Sequence, residues 1–179
     1  GCFYVESPAT RLLLKKLWTT MPPARRAQAD VFEYLVAVSS IIRPAANVFA
    51  DDFVQRAHGQ PYRALHPLLD TVLAETHGIM VYQEDVMKVA MALGGFSMHD
   101  GDQLRKILSK KHKERQLRDY QRQFYAGAAA RQIARTVVDQ VWAMMMSFAG
   151  YSFCKPHSAS YAQVSFKSAH LRAHYPADF

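Results

Sequence analysis

Cysteine is scarce in this 179-residue chain: Cys2 and Cys154 are the only two. No disulfide framework can hold the fold, so burial must do it, and a reducing, cytoplasmic compartment is expected. Two thiols also argue against a zinc knuckle. Long apolar runs are missing as well. None approaches the roughly 20 residues that span a bilayer, so no membrane partner is expected. The opening GCFYVESPATR has neither the basic start nor the apolar core of a signal peptide. The chain begins without Met and stops on Phe179, which reads as a piece excised from something longer.

Catalytic patterns are equally thin. There is no Ser-His-Asp order, no G-x-x-x-x-G-K-[ST] loop and no H-E-x-x-H. Asp51 and Asp52 are adjacent, as are Glu84 and Asp85. On a helix such neighbours diverge by about 100° and cannot chelate one metal together. A two-metal phosphoryl-transfer centre needs several converging carboxylates, and none can be assembled here. The expectation is a chain that binds without performing chemistry alone.

What is present is apolar bulk and an uneven positive charge. Half of the residues are hydrophobic, enough for one compact domain or two small lobes and too many for disorder. The net charge is +7. Residues 105–122, RKILSKKHKERQLRDYQR, hold eight basic residues against two acidic ones, while the remainder has fourteen against thirteen. Such a run is most often a solvated helix face. This one is nearly all of one sign, without the interleaved Glu that gains i,i+4 pairs, and that favours a polyanion contact. Arg105 and Lys106 are expected just past a helix start, placed to grip phosphate.

Hydrophobic spacing predicts a mostly α fold of seven or eight helices. Leu12, Leu13, Leu17 and Trp18 mark a helix over 8–20, ended by Met21-Pro22-Pro23. Asp30 is placed to cap the next. VFADDFVQRAHG (48–59) reads as a short amphipathic helix closed by Gly59. Residues 78–82, GIMVY, alone have strand character, and 83–95 read as a helix stopped by a glycine pair. Ser97 and Asp100 suggest a cap for a helix with Leu104, Ile107 and Leu108 on one face. Arg105, Lys106, Lys110 and Lys113 fall on the opposite arc. Further helices are expected over 117–130, 136–148 and 158–174.

The stretch FAGYSFCKPHSASYAQVSF (148–166) mixes aromatics with a lysine, a histidine and four serines. Tyr151, Phe153 and Tyr161 offer faces on which bases stack, and Lys155 and His157 supply donors. Ser158 and Ser160 lie where a helix would begin, which is an anion site. The same aromatics would serve equally as core, and composition leaves the two readings even.

Four elements in order carry a resemblance: VYQEDVM, LRKILSKK, the 148–166 stretch and LRAHYPADF. Together with YVES at 4–7 and SIIRP at 40–44, they resemble the alpha subunit of bacterial DNA polymerase III over nearly all of the chain. The resemblance implies the fingers region of a C-family replicative polymerase spanning 1–179, with 1–77 and 78–179 as candidate sublobes. It implies a DNA-directed DNA polymerase, a nucleotidyltransferase, as the parent. The palm and its Mg²⁺-holding aspartates would lie outside this chain, so the chain itself would bind no metal and be inactive alone. Implied partners are primer-template DNA, a deoxynucleoside triphosphate, and the palm and thumb of the same polymerase.

Carried over by position, Arg105 and Lys106 match the basic pair facing the nucleotide phosphates, and Lys110 and Lys111 the pair that follows. Tyr151, Lys155, His157 and Ser158 match a loop lining the nucleotide pocket, and Arg43 a further basic residue beside it. Three positions depart from the family pattern: Ala45 replaces a glycine, Cys154 an asparagine and Pro156 a serine. An amide that donates and accepts has become a weakly bonding thiol. These changes point to a divergent branch, an accessory or lesion-tolerant paralogue. The competing reading is a non-catalytic helical nucleic-acid-binding module; a plain helical interaction module is the third.

Overall fold

The computed structural model describes residues 2–42, 47–108, 110, 114–147 and 154–179. Among the described residues there are ten α-helices and no strand. The mostly α expectation holds. The chain divides into two compact units, Gly1–Pro61 with Phe153–Phe179, and Tyr62–Ser152. The sublobe boundary drawn from sequence at 77/78 falls within the second of these.

The first unit holds α1 (Pro8–Thr19), α2 (Pro23–Gln28), α3 (Val31–Ile41), α4 (Ala50–Ala57) and α10 (Lys155–His174). Its centre is α3, where every residue from Leu35 to Ile41 is buried. Asp30 caps this helix as expected, its carboxylate accepting from the backbone N–H of Phe32 at 2.9 Å and Glu33 at 3.1 Å. The proline pair that ends α1 also starts something: Pro23 opens α2. Proline suits a first helical turn because its missing N–H would have no intrahelical partner there. Gly59, at φ +96°, closes α4, a conformation open to a residue without Cβ. The helix itself begins at Ala50, after a 3-10 turn at Asn47–Phe49, rather than at residue 48.

The last helix, α10, starts at Lys155, three residues before the expected Ser158, and takes Pro156 into its first turn. It buries Ser158, Ala162 and Ser165, three small residues at i, i+4 and i+7. That narrow strip lets α10 pack closely on α3. The Ser165 hydroxyl donates to the Phe3 carbonyl at 2.7 Å, tying the N-terminal segment to the same helix.

The second unit holds α5 (Pro67–Val72), α6 (Gln83–Gly94), α7 (Met98–Leu108), α8 (Glu114–Ala130) and α9 (Arg135–Ser147). Helix α6 is the hub, packing against α5, α7 and α8. Residues Ile79–Tyr82 precede it, each under 5% exposed. Their strand-like sequence reflects burial, not a sheet. Tyr82 forms an isolated β-bridge rather than part of a strand, and the Asp85 carboxylate accepts from the N–H groups of Val81 and Tyr82, both at 2.8 Å. At the far end Gly95, at φ +69°, stops α6. Phe124 of α8 is fully buried, with Phe96 and Trp142 rings 6.3 and 5.5 Å away.

Candidate functional site

The basic run 105–122 is divided between two helices. Helix α7 ends at Leu108 and α8 begins at Glu114; Lys113, placed by sequence on the same arc as Arg105, lies outside the described residues. Arg105 and Lys106 stand in the last turn of α7, not just past a helix start. The reason is the cap: Ser97 accepts from the Asp100 N–H at 3.1 Å and donates to its carboxylate at 2.6 Å, opening the helix early. Cations in a last turn face the negative end of the helix dipole, a favourable placement.

One carboxylate holds both. Arg105 donates through Nε at 2.9 Å and Nη2 at 2.7 Å to Oδ1 of Asp102, while Lys106 Nζ lies 2.7 Å from Oδ2. Arg105 Nη1 also donates to Gln83 Oε1 at 3.0 Å, which ties α7 to the first residue of α6. Lys106 and Arg105 hold the Asp102 carboxyl below its ordinary range. Neither Asp102 nor Gln83 was singled out from sequence. The signal was available: an acid three and four residues ahead of two cations is a helical pairing pattern, and Gln83 belongs to the YQE element.

Lys106 and Lys110 border an open groove of about 570 Å³ between α7 and α8, with His99, Gln103, Tyr120 and Gln123 also lining it. Lys110 is exposed and its backbone N–H closes on the Ile107 carbonyl at 3.0 Å. Lys111 lies outside the described residues, as do Arg43, Ala45, Tyr151 and Phe153.

The remaining expected site residues belong to the first unit. Lys155 Nζ is 2.9 Å from Glu33 Oε2 of α3. The His157 ring stands edge-on to Tyr161, centroids 4.2 Å apart. Tyr161 is itself stacked on Tyr4 at 6.1 Å and tilted against Phe3 at 5.3 Å, so its ring is used in packing. Ser158 is buried, its hydroxyl 2.5 Å from that of Ser40. Arg105 and Lys106 are thus brought together in one unit, and Lys155, His157 and Ser158 in the other.

Among the described residues, no group of three or more His, Cys, Asp or Glu side chains is placed to hold a metal. Likewise, no described helix is long and apolar enough to cross a membrane.

Residues 1–132 match a family described as the bacterial DNA polymerase III alpha subunit finger domain. Among relatives, a DNA polymerase III subunit alpha from Neisseria meningitidis serogroup A is 41% identical over 99% of this chain and 14% of its own length. One from Aquifex aeolicus is 37% identical over the whole chain and 15% of its own length. An error-prone DNA polymerase from Symbiobacterium thermophilum is 34% identical over the whole chain and 16% of its own length. The chain therefore spans about one-seventh of the length of such relatives. The Arg105–Lys106 pair, its Gln83 anchor and the serine-lined start of α10 all lie on motifs that carry the earlier resemblance, and this chain belongs to the bacterial DNA polymerase III alpha subunit finger domain family.

Proposed function

We propose that this chain is the fingers segment of a cytoplasmic DNA-directed DNA polymerase, where it helps bind the incoming deoxynucleoside triphosphate and the primer-template. The observation that carries this reading is the Arg105–Lys106 pair fixed by Asp102 and Gln83. A guanidinium has five N–H donors. The contacts to Asp102 and Gln83 engage Nε and one hydrogen on each Nη, and a second hydrogen on each Nη serves a phosphate oxygen. Lys106 adds a point charge beside this fork. Lys110 and Lys111 extend the positive field. Lys155, His157 and Tyr151 are assigned as further donors and a ring for nucleotide binding, and Arg43 as a further cation. Ser158 acts from behind, holding the first turn of α10 on α3.

Catalysis belongs to the rest of the parent chain. The Mg²⁺ that assists nucleotidyl transfer would be held by palm carboxylates, and this segment offers only positive charge to the same triphosphate. The palm and thumb are therefore its intramolecular partners, and the segment alone does not polymerise.

The test is single-nucleotide incorporation by the full-length parent. Arg105→Ala is expected to raise the nucleotide KM roughly ten- to a hundredfold, as losing a charge-assisted hydrogen bond worth about 1.5–3 kcal/mol requires. Arg105→Lys should fall between, keeping charge without the fork. Asp102→Asn, which loosens both cations without removing either, should shift KM in the same direction by less. Unchanged KM and kcat in Arg105→Ala would overturn the assignment.

A further inference from the structure

Helix α8 carries Arg115, Arg118 and Arg122 at intervals of three and four residues, the spacing that aligns side chains on one helical face. All three are exposed. They line a shallow concavity of about 460 Å³. Arg122 continues into a second of about 320 Å³, lined also by Tyr125 and Arg135. The Arg135 guanidinium carbon lies 4.3 Å over the centre of the Tyr125 ring, and Tyr125 stands edge-on to Trp142 at 6.2 Å. The Arg135 side chain is 74% exposed, so its outer face remains open.

This face is only half balanced by acid. Among the described residues, Arg122 pairs with Asp119 and Arg135 with Asp139, while Arg115 and Arg118 make no ion pair. A solvated helix selected only for stability gains from alternating signs at i,i+4. Here Arg115 and Arg118 add positive potential that no such pair offsets. Arginine rather than lysine matters, because its planar fork suits phosphate and its flat face stacks on bases.

We propose that this arginine stripe is a docking track for the sugar-phosphate backbone of single-stranded DNA, with Arg135 on Tyr125 as a platform for one base. From Arg115 to Arg122 the helix advances about 10 Å, so the three guanidiniums can each take a different phosphate along one strand. An unpaired strand exposes its base faces where a duplex hides them, and the stacked Arg–Tyr pair selects for that exposure. An acidic peptide would use the charges and leave the platform idle. The assignment rests on the polymerase reading, since an enzyme that copies a template must handle its unpaired part, yet it concerns a surface separate from Arg105.

The experiment measures binding of the full-length parent to a labelled oligo-dT strand, to blunt duplex, and to primer-templates with increasing 5′ overhangs, across a series of salt concentrations. Replacing Arg115, Arg118 and Arg122 together by Gln is expected to abolish the affinity gained with overhang length. It should also flatten the slope of log affinity against log salt by about 2, three phosphates at about 0.7 each. The triple Lys variant should keep the slope. Arg135→Ala should weaken oligo-dT binding through lost stacking, by roughly tenfold for about 1–3 kcal/mol. An unchanged slope and overhang gain in the Gln variant overturns the track, as does an equal loss on blunt duplex. Failure of the polymerase reading is read separately: it shows as an unaffected nucleotide KM in Arg105→Ala, whatever the stripe variants do.

Discussion

The hydroxyl oxygens of Ser40 and Ser158 lie 2.5 Å apart, joining α3 to α10 across 118 positions of sequence. Ser40 is also 3.2 Å from the Val36 carbonyl, to which it donates, so the pair forms a short chain: Ser158 to Ser40 to Val36. Both side chains are buried. A buried hydroxyl stripped of its partner keeps its desolvation cost, whereas removing both partners does not.

Ser158→Ala is expected to destabilise the chain by about 1 kcal/mol, and Ser40→Ala by about 1–3 kcal/mol because it strands the Ser158 hydroxyl. The double variant should cost clearly less than the two combined. Denaturant unfolding of the four proteins in a double-mutant cycle measures this. Strict additivity would mean that the two hydroxyls do not interact.

Asp85 titrates where a carboxylate ordinarily would not. Burial is the larger influence and pushes its pKa up to about 6, against the Tyr82 and Val81 N–H groups and Lys88, which all favour the anion. The folded state thus binds this proton more tightly than the unfolded chain, whose value is near 3.8. The resulting stability is fully present below pH 3.8 and is lost as pH rises through about 6. Within that window the contribution falls by up to about 1.4 kcal/mol per pH unit. Asp85→Asn keeps one oxygen for both backbone donors and cannot ionise. Its unfolding free energy should be flatter than the wild type between these limits; superimposable pH profiles would refute the burial account.

Helices α6 and α8 touch through glycine. A Cβ on Gly127 would stand 1.7 Å from the Gly94 carbonyl oxygen and 2.6 Å from its carbon, both backbone atoms that cannot swing aside. Alanine is the better helix former by about 1 kcal/mol, but opening the crossing should cost about 3 kcal/mol or more. Gly127→Ala is therefore expected to lower Tm. A variant as stable as the parent would show that the two helices do not cross this closely.

Local order in this protein is legible in its sequence. The caps at Asp30 and Ser97, the glycine stops at 59 and 95, and the helical class follow from contacts spanning about four residues, which the amino-acid order states directly. Sequence and structure differ where one local rule hides another. The Pro22-Pro23 pair ended α1 and also began α2, and Pro156 entered the first turn of α10 instead of preceding it. Residues 78–82 have a strand's composition, yet Gly78 and Ile79 donate to the Leu73 and Thr76 carbonyls and Val81 and Tyr82 to Asp85.

The family resemblance likewise came from the sequence, because motif identity survives as residue order. Only the tertiary structure decided how those residues are employed. It alone put Arg105 on Gln83, from 22 positions away, turned Ser158 inward to Ser40, and set Gly127 against Gly94. Each depends on which helix faces which, and so on burial summed over a whole unit. No residue's neighbours in the chain encode that sum.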